Sequence, residues 1–501
     1  MFQTVMSYLD DANLILSVLM LAVITFYLRS LRPQNLPPAP GTALPFIGHL
    51  YMLERNPRGQ FKQWAEKYAD VFLLQMGPQR TVFINSLKTI KEALVTQADH
   101  FSDRPNTSFL AKHLIYYSKG IIFNSGANWK CQRSTTLNIL RKFGMGKNIL
   151  AEKILVEVAF FCKELARLDG KPSDIRELTN MSISNVISSI IFGKRFEFDD
   201  PQFIAQMNSL NDIAKLNSGT LILNFFPFLF YIPVDLFKGK KLLKAYLDQR
   251  DFLSSLIHSI LNLSDSNTVD SYISEYKKEM KKEQELNQPS HLDDENLSRN
   301  ISNLFGAGTE TTSSTILWFM LYMLNFPEVQ NKTYNEIVAQ IGKERAPSIA
   351  DKPRLKYFTA VIMEVQRKAS ILPITIPYFC STDTTLAGYT IPKNTVVMPN
   401  LDAVLRSKEI WGDPENFRPE RFLDEQGNVV KREELIPFSV GRRVCLGESL
   451  AKMELFLYLS NLIQTFQFLP ARPDKIPPLK DTWGLAATPE PFEIKCVKRN
   501  A

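Results

Sequence analysis

The stretch Phe438-Ser-Val-Gly441-Arg-Arg443-Val-Cys445-Leu-Gly447 places one cysteine among two arginines and two glycines. The arginines favour a thiolate over a thiol, and the glycines allow a tight loop and a close approach of the backbone. Residues 448–465 have a helical pattern, so Cys445 precedes a helix amino end, which also favours negative charge. A lone cysteine is more often a small buried hydrophobic residue, but these neighbours predict a stabilised thiolate. It is either a metal ligand or a nucleophile, and no histidine base lies close in sequence.

Four further motifs lie upstream of this cysteine loop (residues 438–447). They are Trp129-Lys-Cys-Gln-Arg133, Ala307-Gly-Thr-Glu-Thr-Thr312, Glu364-Val-Gln-Arg367 and Phe417-Arg-Pro-Glu-Arg-Phe422. In order and spacing the five motifs resemble those of the cytochrome P-450 monooxygenases over nearly the whole chain. The proline-rich residues 33–48 and Asn185-Val-Ile…Phe192-Gly193 resemble most the microsomal animal enzymes that oxidise drugs, lipids and hormones. The resemblance implies the cytochrome P-450 fold, mainly α with a minor β region.

The resemblance also implies a cofactor, haem b, with the Cys445 thiolate as the axial ligand of the iron, where its electron donation favours O–O cleavage. It implies that Trp129, Arg133 and Arg443 bind the haem propionates, because a guanidinium group binds a carboxylate through paired hydrogen bonds. Without the family, Trp129 would be a core residue and Arg133 a surface charge. The residues expected at the cofactor are Cys445, Trp129, Arg133, Arg443, Phe438, Gly441, Gly447 and Ala307.

An apolar helix is expected from about residue 301 to 324, ending before Pro327. One of its faces can lie against a flat macrocycle because the side chains are small. These residues are Ala307, Thr311, Ser314 and Thr315. Glycine in a helix costs up to about 1 kcal/mol relative to alanine, and a buried Glu310 costs more unless it is hydrogen-bonded. The hydroxyls could also bond to carbonyls four residues earlier and bend the helix. By resemblance, Glu310 and Thr311 are the catalytic pair that relays protons to dioxygen through water.

Glu364 and Arg367 stand three residues apart and in isolation would form a surface pair. By resemblance they join Arg421 in a buried structural triad, in which the loss of one partner is severe. The chain departs from the family pattern at Pro377-Tyr378. The family often has arginine or histidine after this proline, close to the propionates. A phenol can still donate one hydrogen bond, so one haem contact stays open.

The rest of the chain has mostly helical periodicity. Residues 56–70 predict a helix, and 71–76 with 81–84, joined at Gly77-Pro78, predict a β-hairpin. Residues 150–260 are mostly helical apart from a Pro- and Phe-rich break at 224–233. The polar, charge-dense residues 263–300 are expected to form a solvated connector of helix and loop. The sequence shows no alternating βαβ rhythm of the kind that would predict a parallel sheet.

The amino terminus carries the apolar run Leu14–Leu28. It is short for a membrane-spanning helix, which needs about 20 residues. Arg29 and Arg32 follow the run and no Lys or Arg precedes it, which favours an anchor with the bulk of the chain in the cytosol. A signal peptide or a buried core helix is the alternative. We expect an anchor in the endoplasmic reticulum membrane at 1–30, a proline-rich linker at 31–48 and a haem-thiolate catalytic domain at 49–501.

Composition excludes several classes of protein. The chain has 501 residues, with 59 Lys and Arg against 52 Asp and Glu, a net charge of +7, and 45% hydrophobic residues. These values exclude a disordered chain and a nucleic-acid-binding surface. Five widely spaced cysteines and five scattered histidines predict neither a disulfide framework nor a zinc site. Length alone favours two or three domains, but a buried haem would allow one helical body to exceed the usual limit of about 250–300 residues.

The resemblance implies a monooxygenase that inserts one oxygen atom from O2 into a lipophilic small molecule, by hydroxylation or epoxidation. Electrons would come from NADPH through a flavoprotein reductase, with cytochrome b5 as a further candidate partner. The basic residues Lys431, Arg432, Arg442 and Lys142 are a candidate docking face for an acidic partner, or an ordinary solvated surface. Family geometry would put the substrate pocket among residues 109–122, 208–230, 301–311 and 371–377. These are apolar, as in a pocket for an apolar substrate or in an ordinary core.

Two other functions remain as alternatives. A haem-thiolate isomerase or peroxide-rearranging enzyme needs no activation of dioxygen and often lacks an acid–threonine pair, so Glu310 and Thr311 argue against it. A membrane-tethered binding protein without enzymatic activity would contain no haem and would leave the five ordered motifs without a reason.

Overall fold

The computed structural model describes residues 13–24, 26–27, 35–105, 109, 113, 119–145, 148–263, 270–286, 290–482, 484 and 486–499. Helices dominate this part of the chain, as expected. They are α1 (Arg58–Tyr68), α2 (Leu87–Lys91), α3 (Ala98–Phe101), α4 (Gly126–Lys142), α5 (Asn148–Arg167), α6 (Arg176–Ile191), α7 (Pro201–Gly219), α8 (Ile222–Phe225), α9 (Gly239–Leu263), α10 (Tyr272–Glu285), α11 (Asp294–Asn325), α12 (Pro327–Ile341), α13 (Lys356–Ala369), α14 (Leu401–Leu405), α15 (Lys408–Trp411) and α16 (Glu448–Thr465).

Shorter helical segments connect several of these helices. A π-helical turn, Glu92–Thr96, follows α2. The 3₁₀ segments are Leu50–Met52, Pro227–Tyr231, Ile349–Asp351 and Pro419–Phe422. The segment Pro227–Tyr231 and helix α8 lie where the sequence predicted a break in the helical pattern, so this break is confirmed. Proline fixes the backbone dihedral φ and is tolerated at the first position of such a turn.

The strands are few and short. They are β1 (Val71–Met76), β2 (Gln79–Ile84), β3 (Tyr378–Phe379), β4 (Thr384–Leu386), β5 (Tyr389–Ile391), β6 (Val396–Pro399), β7 (Phe466–Pro470), β8 (Asp481–Thr482), β9 (Thr488–Pro489) and β10 (Ile494–Lys498). The predicted hairpin is β1–β2, and it belongs to a four-stranded sheet of order β1-β2-β6-β3. Strands β2 and β6 pair in parallel, with Thr81 opposite Val396. This parallel pair left no βαβ rhythm in the sequence, because its two strands are far apart along the chain.

Helix α11 runs through the main hydrophobic core. Its residues 316–324 are all buried, and it packs against α6, α9, α13 and α16. At Gly308 the helix lies close to α6, since a Cβ atom there would lie 2.7 Å from Ile187 Cδ1. The glycine that weakens the helix locally is therefore required by helix–helix packing at this point.

The long helix begins earlier than the sequence pattern indicated. It starts at Asp294, about two turns before residue 301, and the Asp293 side chain caps it by accepting a hydrogen bond from Asn296 N at 2.6 Å. The end is as predicted, since the helix stops at Asn325 and Pro327 begins α12. The apolar pattern missed the first two turns because polar residues form them.

The polar connector at residues 263–300 is only partly solvated, which corrects the prediction. Tyr272 and Tyr276 of α10 are fully buried. Asn300 and Tyr276 both donate to Gln132 Oε1 at 2.9 Å, and Tyr272 shares a hydrogen bond of 2.8 Å with the Thr136 hydroxyl. These bonds tie α4 to α10 and α11. The charge-dense stretch therefore contains a buried polar network. Its hydroxyl and amide groups bond to one another because buried polar atoms need hydrogen-bond partners.

The predicted anchor falls largely outside the described residues. Residues 13–24 are helical and their side chains are exposed, while Arg29 and Arg32, on which the orientation rests, are not described. Within the described ranges, no helix combines the length and the apolar character that crossing a membrane requires.

From residue 35 onwards the proline-rich stretch lies against the body of the protein. Leu73 N donates to Pro38 O at 2.7 Å, and His49 N donates to Gln75 O at 2.6 Å. Leu36 packs against the apolar residues beside the sheet. Residues 35–49 thus lie along strand β1 and bring the amino terminus to this side of the protein.

The Glu364–Arg367–Arg421 triad is buried as predicted. Arg367 Nε and Nη2 donate to the two oxygens of Glu364 at 2.7 and 2.9 Å, and Arg421 Nε donates to Oε1 at 3.1 Å. Arg367 also donates to the carbonyls of Leu405 and Pro414. The triad joins α13 to the segment between α14 and the cysteine loop, and so it holds the scaffold on which that loop rests.

Glu364→Gln should destabilise the fold by about 3–5 kcal/mol, because it leaves the buried Arg367 charge without a counter-charge. The measurement is the free energy of unfolding of the detergent-solubilised chain in denaturant. The matched control is Glu164→Gln, which breaks an Arg–Glu pair of the same spacing on the surface of α5, where a loss of about 0.5 kcal/mol or less is expected. Equal losses in the two variants would contradict a structural role for the triad.

Candidate cofactor and active site

The cysteine loop is held by backbone contacts. Val444 N donates to Gly441 O at 3.0 Å, and Cys445 N donates to Phe438 O at 3.1 Å. Gly441 has φ +83°, and a Cβ atom there would lie 2.2 Å from Leu94 O of the π-helical turn. Only glycine meets both conditions. Gly447 has an ordinary backbone conformation and is the amino-terminal cap of α16. The fold therefore does not require glycine at this position.

The thiol of Cys445 is not activated by the arginines beside it in sequence, which corrects the prediction. Arg442 forms an ion pair with Asp99, and Arg443 donates to the carbonyls of Ser102 and Asn124 at 2.9 and 2.7 Å. Cys445 is accessible, yet closely surrounded by protein atoms, and this burial raises the pKa of its thiol. The Gly447 backbone N–H and the charge of Arg133 oppose that shift. A bound metal ion would therefore have to supply most of the stabilisation of a thiolate.

Three predicted cofactor residues meet beside the cysteine. The Arg443 guanidinium lies 3.8 Å from the centre of the Trp129 ring, and Arg133 lies 6.0 Å from it. Arg133 Nη2 donates to Val444 O at 2.7 Å, which fixes α4 against the cysteine loop. The residues that the sequence grouped by resemblance are thus neighbours in the fold.

Arg104 is a fourth member of this group, and sequence reasoning missed it. It is buried, and Nη1 donates to Ile376 O at 2.7 Å and to Pro377 O at 2.8 Å. Its guanidinium lies 4.2 Å from the centre of the Tyr378 ring. Tyr378 is buried beneath this cation. The residue that departs from the family pattern therefore contacts an arginine from another part of the chain. No spacing rule could have pointed to Arg104, because the contact joins the segment after α3 to β3, more than 270 residues further along the chain.

The arginines form a buried cluster of positive charge. Burial, together with the charges of Arg104 and Arg133, lowers the pKa of Arg443 to about 9, against the opposing effect of Tyr378 and Asp103. Burial likewise lowers the pKa of Arg104. Buried charges are normally paired. This cluster therefore calls for an anion.

Unpaired donors mark the place where that anion would bind. Trp129 Nε1, Arg443 Nη1 and Asn124 Nδ2 are buried and have no hydrogen-bond partner among the residues that the structure describes. Buried donors of this kind need a partner from outside the chain. Two carboxylates on one flat molecule, lying next to a cysteine thiol, would satisfy both the donors and the charge. The residues present therefore fit a haem with its propionates toward Trp129, Arg104 and Arg443.

Helix α11 forms the opposite side of the site. Thr311 Oγ1 donates to Ala307 O at 2.7 Å, and Thr315 Oγ1 donates to Thr311 O at 2.9 Å. The alternative that the hydroxyls bond to carbonyls four residues earlier is therefore confirmed. Ala307 itself is exposed. A cavity between α11 and α16 is lined by Thr311, Thr312, Thr315, Phe438, Ala451 and Leu455. The cavity thus brings the predicted Thr311 and Phe438 together.

Glu310 lies on the same helix and is partly buried. Burial raises the pKa of its carboxyl from 4.5 to about 7. A carboxyl group with a pKa near physiological pH can give up and take back a proton, as a general acid must. Glu310 is the neighbour of Thr311 in sequence, and the structure describes no contact between its carboxyl and the cysteine loop.

Comparisons with known proteins agree with this site. A family model described as Cytochrome P450 matches residues 38–496. Human cytochrome P450 2U1 is 36% identical over 500 residues, covering 94% of this chain and 91% of that protein. Human cytochrome P450 2J2 is 38% identical over 472 residues, covering 92% and 91%. Chimpanzee (Pan troglodytes) cytochrome P450 2D6 is 36% identical over 492 residues, covering 97% and 98%.

Trp129→Phe should weaken haem retention by about 10- to 100-fold, because it deletes one buried hydrogen bond to a charged group, worth about 1.5–3 kcal/mol. The ring over which Arg443 lies is kept. The measurement is the rate of haem transfer from the purified holoprotein to an excess of a haem-binding protein from which the haem has been removed.

Trp411→Phe is the matched control for this experiment. Trp411 is also buried, donates Nε1 to Val404 O at 2.9 Å and has an arginine, Arg432, 5.1 Å from its ring. Its loss should lower stability without changing haem transfer. Equal acceleration of haem transfer in both variants would contradict the assignment of Trp129 to the propionates.

Proposed function

Because the chain belongs to the cytochrome P450 family, in its microsomal animal branch, we propose that it oxidises a lipophilic small molecule by hydroxylation or epoxidation. One atom of O2 enters a C–H bond or a C=C bond of the substrate. The other atom leaves as water after taking up two protons. Two electrons from NADPH, delivered through a flavoprotein reductase, complete the balance. The family is one of monooxygenases that bind haem through a cysteine thiolate, so a binding protein without activity is set aside.

The single observation that carries the proposal is the buried cluster of donors beside Cys445. We assign Cys445 as the axial ligand, with Trp129, Arg104, Arg133 and Arg443 facing the propionates. When bound, the haem iron supplies the activation of dioxygen. The chain supplies the fixed position of the ligand loop, and Phe438, Gly441, Gly447 and Ala307 provide space and surface around the macrocycle.

Glu310 and Thr311 are proposed to handle the protons of the reaction. The Thr311 hydroxyl already donates to Ala307 O at 2.7 Å, so its oxygen is oriented to accept a hydrogen bond from a water in the cavity. That water would give its other proton to the reaction, and Glu310, with its pKa of about 7, would return a proton to the water. A haem-thiolate isomerase needs no such pair, which favours the monooxygenase over that alternative.

The apolar residues predicted near the substrate support a lipophilic substrate. Phe109 is buried with its ring 4.9 Å from that of Phe230, and both pack with Leu216, Leu223 and Leu242. Residues 110–112 and 114–118 of the predicted pocket lie outside the described residues. Apolar walls of this kind bind ligands mainly by removing apolar surface from water.

An exposed apolar face supports association with the endoplasmic reticulum membrane. Two sets of exposed apolar side chains lie on either side of Gly77. Gly77 N donates to Ile47 O at 3.2 Å on one side, and Gly77 packs against Phe225 and Phe226 on the other. The sets are Leu44, Phe46, Ile47 and Tyr51, and Phe228, Tyr231, Val234 and Leu236. Phe26 stacks on Phe46 with ring centres 4.8 Å apart, so the amino-terminal segment reaches the same face. A large exposed apolar patch marks a binding surface for lipid or protein. We propose that residues 1–30 anchor this face, with 31–48 as linker and 49–501 as the catalytic domain facing the cytosol.

The proposed reductase would have to bind near the cysteine loop. Of the four predicted docking residues, Arg442 pairs with Asp99, Lys142 with Glu275 and Glu279, and Arg432 with Glu434. An acidic partner, whether the reductase or cytochrome b5, would therefore have to displace the carboxylates already paired with these three residues. The three residues would contribute less binding free energy than unpaired cations. Exposed ion pairs are weak enough to exchange partners.

Cys445→Ser should abolish the thiolate-type absorption band of the reduced, carbon monoxide-bound protein, while the purified wild-type chain shows it. With reductase and NADPH, the wild type should oxidise members of a panel of fatty acids, terpenoids, steroids and drugs. A wild type without the band would refute the haem-thiolate assignment. A wild type with the band that rearranges hydroperoxides but gives no NADPH-dependent product would favour the isomerase.

The efficiency of oxidation should fall as pH rises through about 7. Glu310 keeps its proton up to that pH in the folded enzyme, whereas an ordinary glutamate with a pKa of 4.5 would already be ionised. Above pH 7 the general acid is lost. The measurement is product formed per NADPH consumed across the pH range, in which Glu310→Gln should be low throughout and show no step near 7.

The control for this pair lies one turn further along α11. Thr311→Ala should behave like Glu310→Gln, with a loss on the order of tenfold or more. Thr315→Ala removes an equivalent back-bonded hydroxyl and should keep the wild-type yield. Similar losses in Thr311→Ala and Thr315→Ala would show that the hydroxyls only shape the helix.

A further inference from the structure

A cluster of lysines borders the exposed apolar face. The lysine cluster consists of Lys238, Lys240, Lys241 and Lys244, all of which are exposed. It begins two residues after Leu236, an exposed member of the second apolar set. Residues 235–244 contain four lysines and one acid, so their net charge is 4 − 1 = +3. Concentrated positive charge therefore lies next to the surface that is proposed to meet the membrane.

Hydrogen bonds and packing hold the lysine cluster beside the apolar set. The Asp235 carboxylate accepts from Lys240 N and Lys241 N at 3.1 Å each. Gly239, the first residue of α9, is buried, and a Cβ atom there would lie 3.0 Å from Phe230 Cδ2. The start of α9 therefore has a fixed position against the 3₁₀ segment before it, and the one acid of residues 235–244 is engaged by backbone N–H groups.

Carboxylates of the chain leave most of this charge without a partner. Lys238, Lys240 and Lys244 form no ion pair with any residue that the structure describes. The fourth lysine, Lys241, has its Nζ 3.8 Å from the Asp212 carboxylate. An ion pair of this length at an exposed site is weak. The cluster can therefore bind an anion from outside the chain without first breaking strong internal bonds.

Helix α10 provides a comparison within the same chain. It also has several lysines, but acids are interspersed with them in sequence. Three of its lysines lie within ion-pairing distance of a carboxylate. The pairs are Lys277–Asp294, Lys278–Glu275 and Lys281–Glu285. The lysine cluster therefore differs from α10 in having few carboxylates that compete with an external anion, and in adjoining exposed apolar surface.

The two parts of this surface match the two layers of a membrane. Exposed apolar side chains enter the boundary between headgroups and acyl chains, and lysines beside them extend their ammonium groups toward the phosphates. The cytosolic leaflet has a negative surface potential because it contains anionic phospholipids. Binding at such an interface gains both from buried apolar area and from attraction to anionic lipids.

We propose that the lysine cluster binds the headgroups of anionic phospholipids. The proposal rests on the membrane association of the apolar face proposed above, and it names the lipid class that this face meets. Lysines are flexible point charges, so the site selects for net charge and not for headgroup shape. Phosphatidylserine and phosphatidylinositol should therefore bind alike, while zwitterionic phosphatidylcholine should not bind. The attraction holds the start of α9 at the bilayer surface.

The first test is chemical labelling of the full-length wild type in vesicles. In phosphatidylcholine with about one third phosphatidylserine, a water-soluble amine reagent should modify the lysine cluster about fivefold more slowly than in phosphatidylcholine alone. The paired lysines of α10 are the internal control and should react equally in both lipids. In about 1 M salt, where the Debye length is about 3 Å, the difference should disappear.

The second test compares two triple variants of the full-length chain. The first variant combines Lys240→Gln, Lys241→Gln and Lys244→Gln. The second variant removes equal charge from α10 by combining Lys277→Gln, Lys278→Gln and Lys281→Gln. The measurement is the preference of the protein for spin-labelled phosphatidylserine over spin-labelled phosphatidylcholine, read by electron paramagnetic resonance. The preference should fall about fivefold in the first variant and keep its wild-type value in the second. Both variants should retain the thiolate-type carbon monoxide band.

A third measurement separates this proposal from the membrane association on which it rests. A phosphatidylcholine with a photoreactive group in its acyl chain should label residues 228–236 in both lipid mixtures. Absence of that label would overturn the association itself. Label at 228–236 with equal lysine modification in both mixtures, or equal lipid preference in the two variants, would overturn only the headgroup site. Protection of the lysines that requires added reductase and not phosphatidylserine would also overturn it, and would assign the cluster to an acidic protein.

Discussion

Positive charge buried without a counter-charge is the constraint on which this structure depends. Arg104, Arg133 and Arg443 reach the same place from three distant parts of the chain, and each is held there by backbone carbonyls and not by a carboxylate. Carbonyls satisfy the donors but do not neutralise the charge. The acid groups of a bound cofactor would do so. On the proposed assignment, the cofactor would be part of the interior of the protein, comparable to a structural metal, and not only a reagent that the fold presents to substrate.

Local patterns predicted those parts of the fold that local forces decide. Helix α16 has the predicted bounds, 448–465, and the hairpin β1–β2 forms at its glycine turn. The cysteine motif and the triad around Glu364 follow from short spacings within the chain. Arg104 was not predicted, because it acquires its role from residues that are distant in sequence. The first turns of α11 were missed for a related reason, since polar side chains such as Asn300 are buried by contacts with α4 and α10.

Neighbours in sequence can also be misleading about chemistry. Arg442 adjoins Arg443, which is proposed to face the cofactor, yet the charge of Arg442 is taken up by Asp99 at the surface. Arg133, which lies more than 300 residues before Cys445, is the cation that acts on the thiol. Gly308 lowers the stability of the helix, and packing against Ile187 explains its presence. Electrostatics depends on distance in space, and a motif gives only distance along the chain.

The parallel pairing of β2 with β6 has a consequence for biosynthesis. Thr81 lies opposite Val396, so 396 − 81 = 315 residues separate the two strands. At about 5–20 residues per second, a ribosome needs roughly 15–60 seconds to make the second strand after the first. During that interval the hairpin has an unpaired edge, a state that favours aggregation. If the apolar face binds the membrane as proposed, its first set, at residues 44–51, would reach the bilayer before the second strand is made, and the membrane would shelter the young chain before its catalytic half exists.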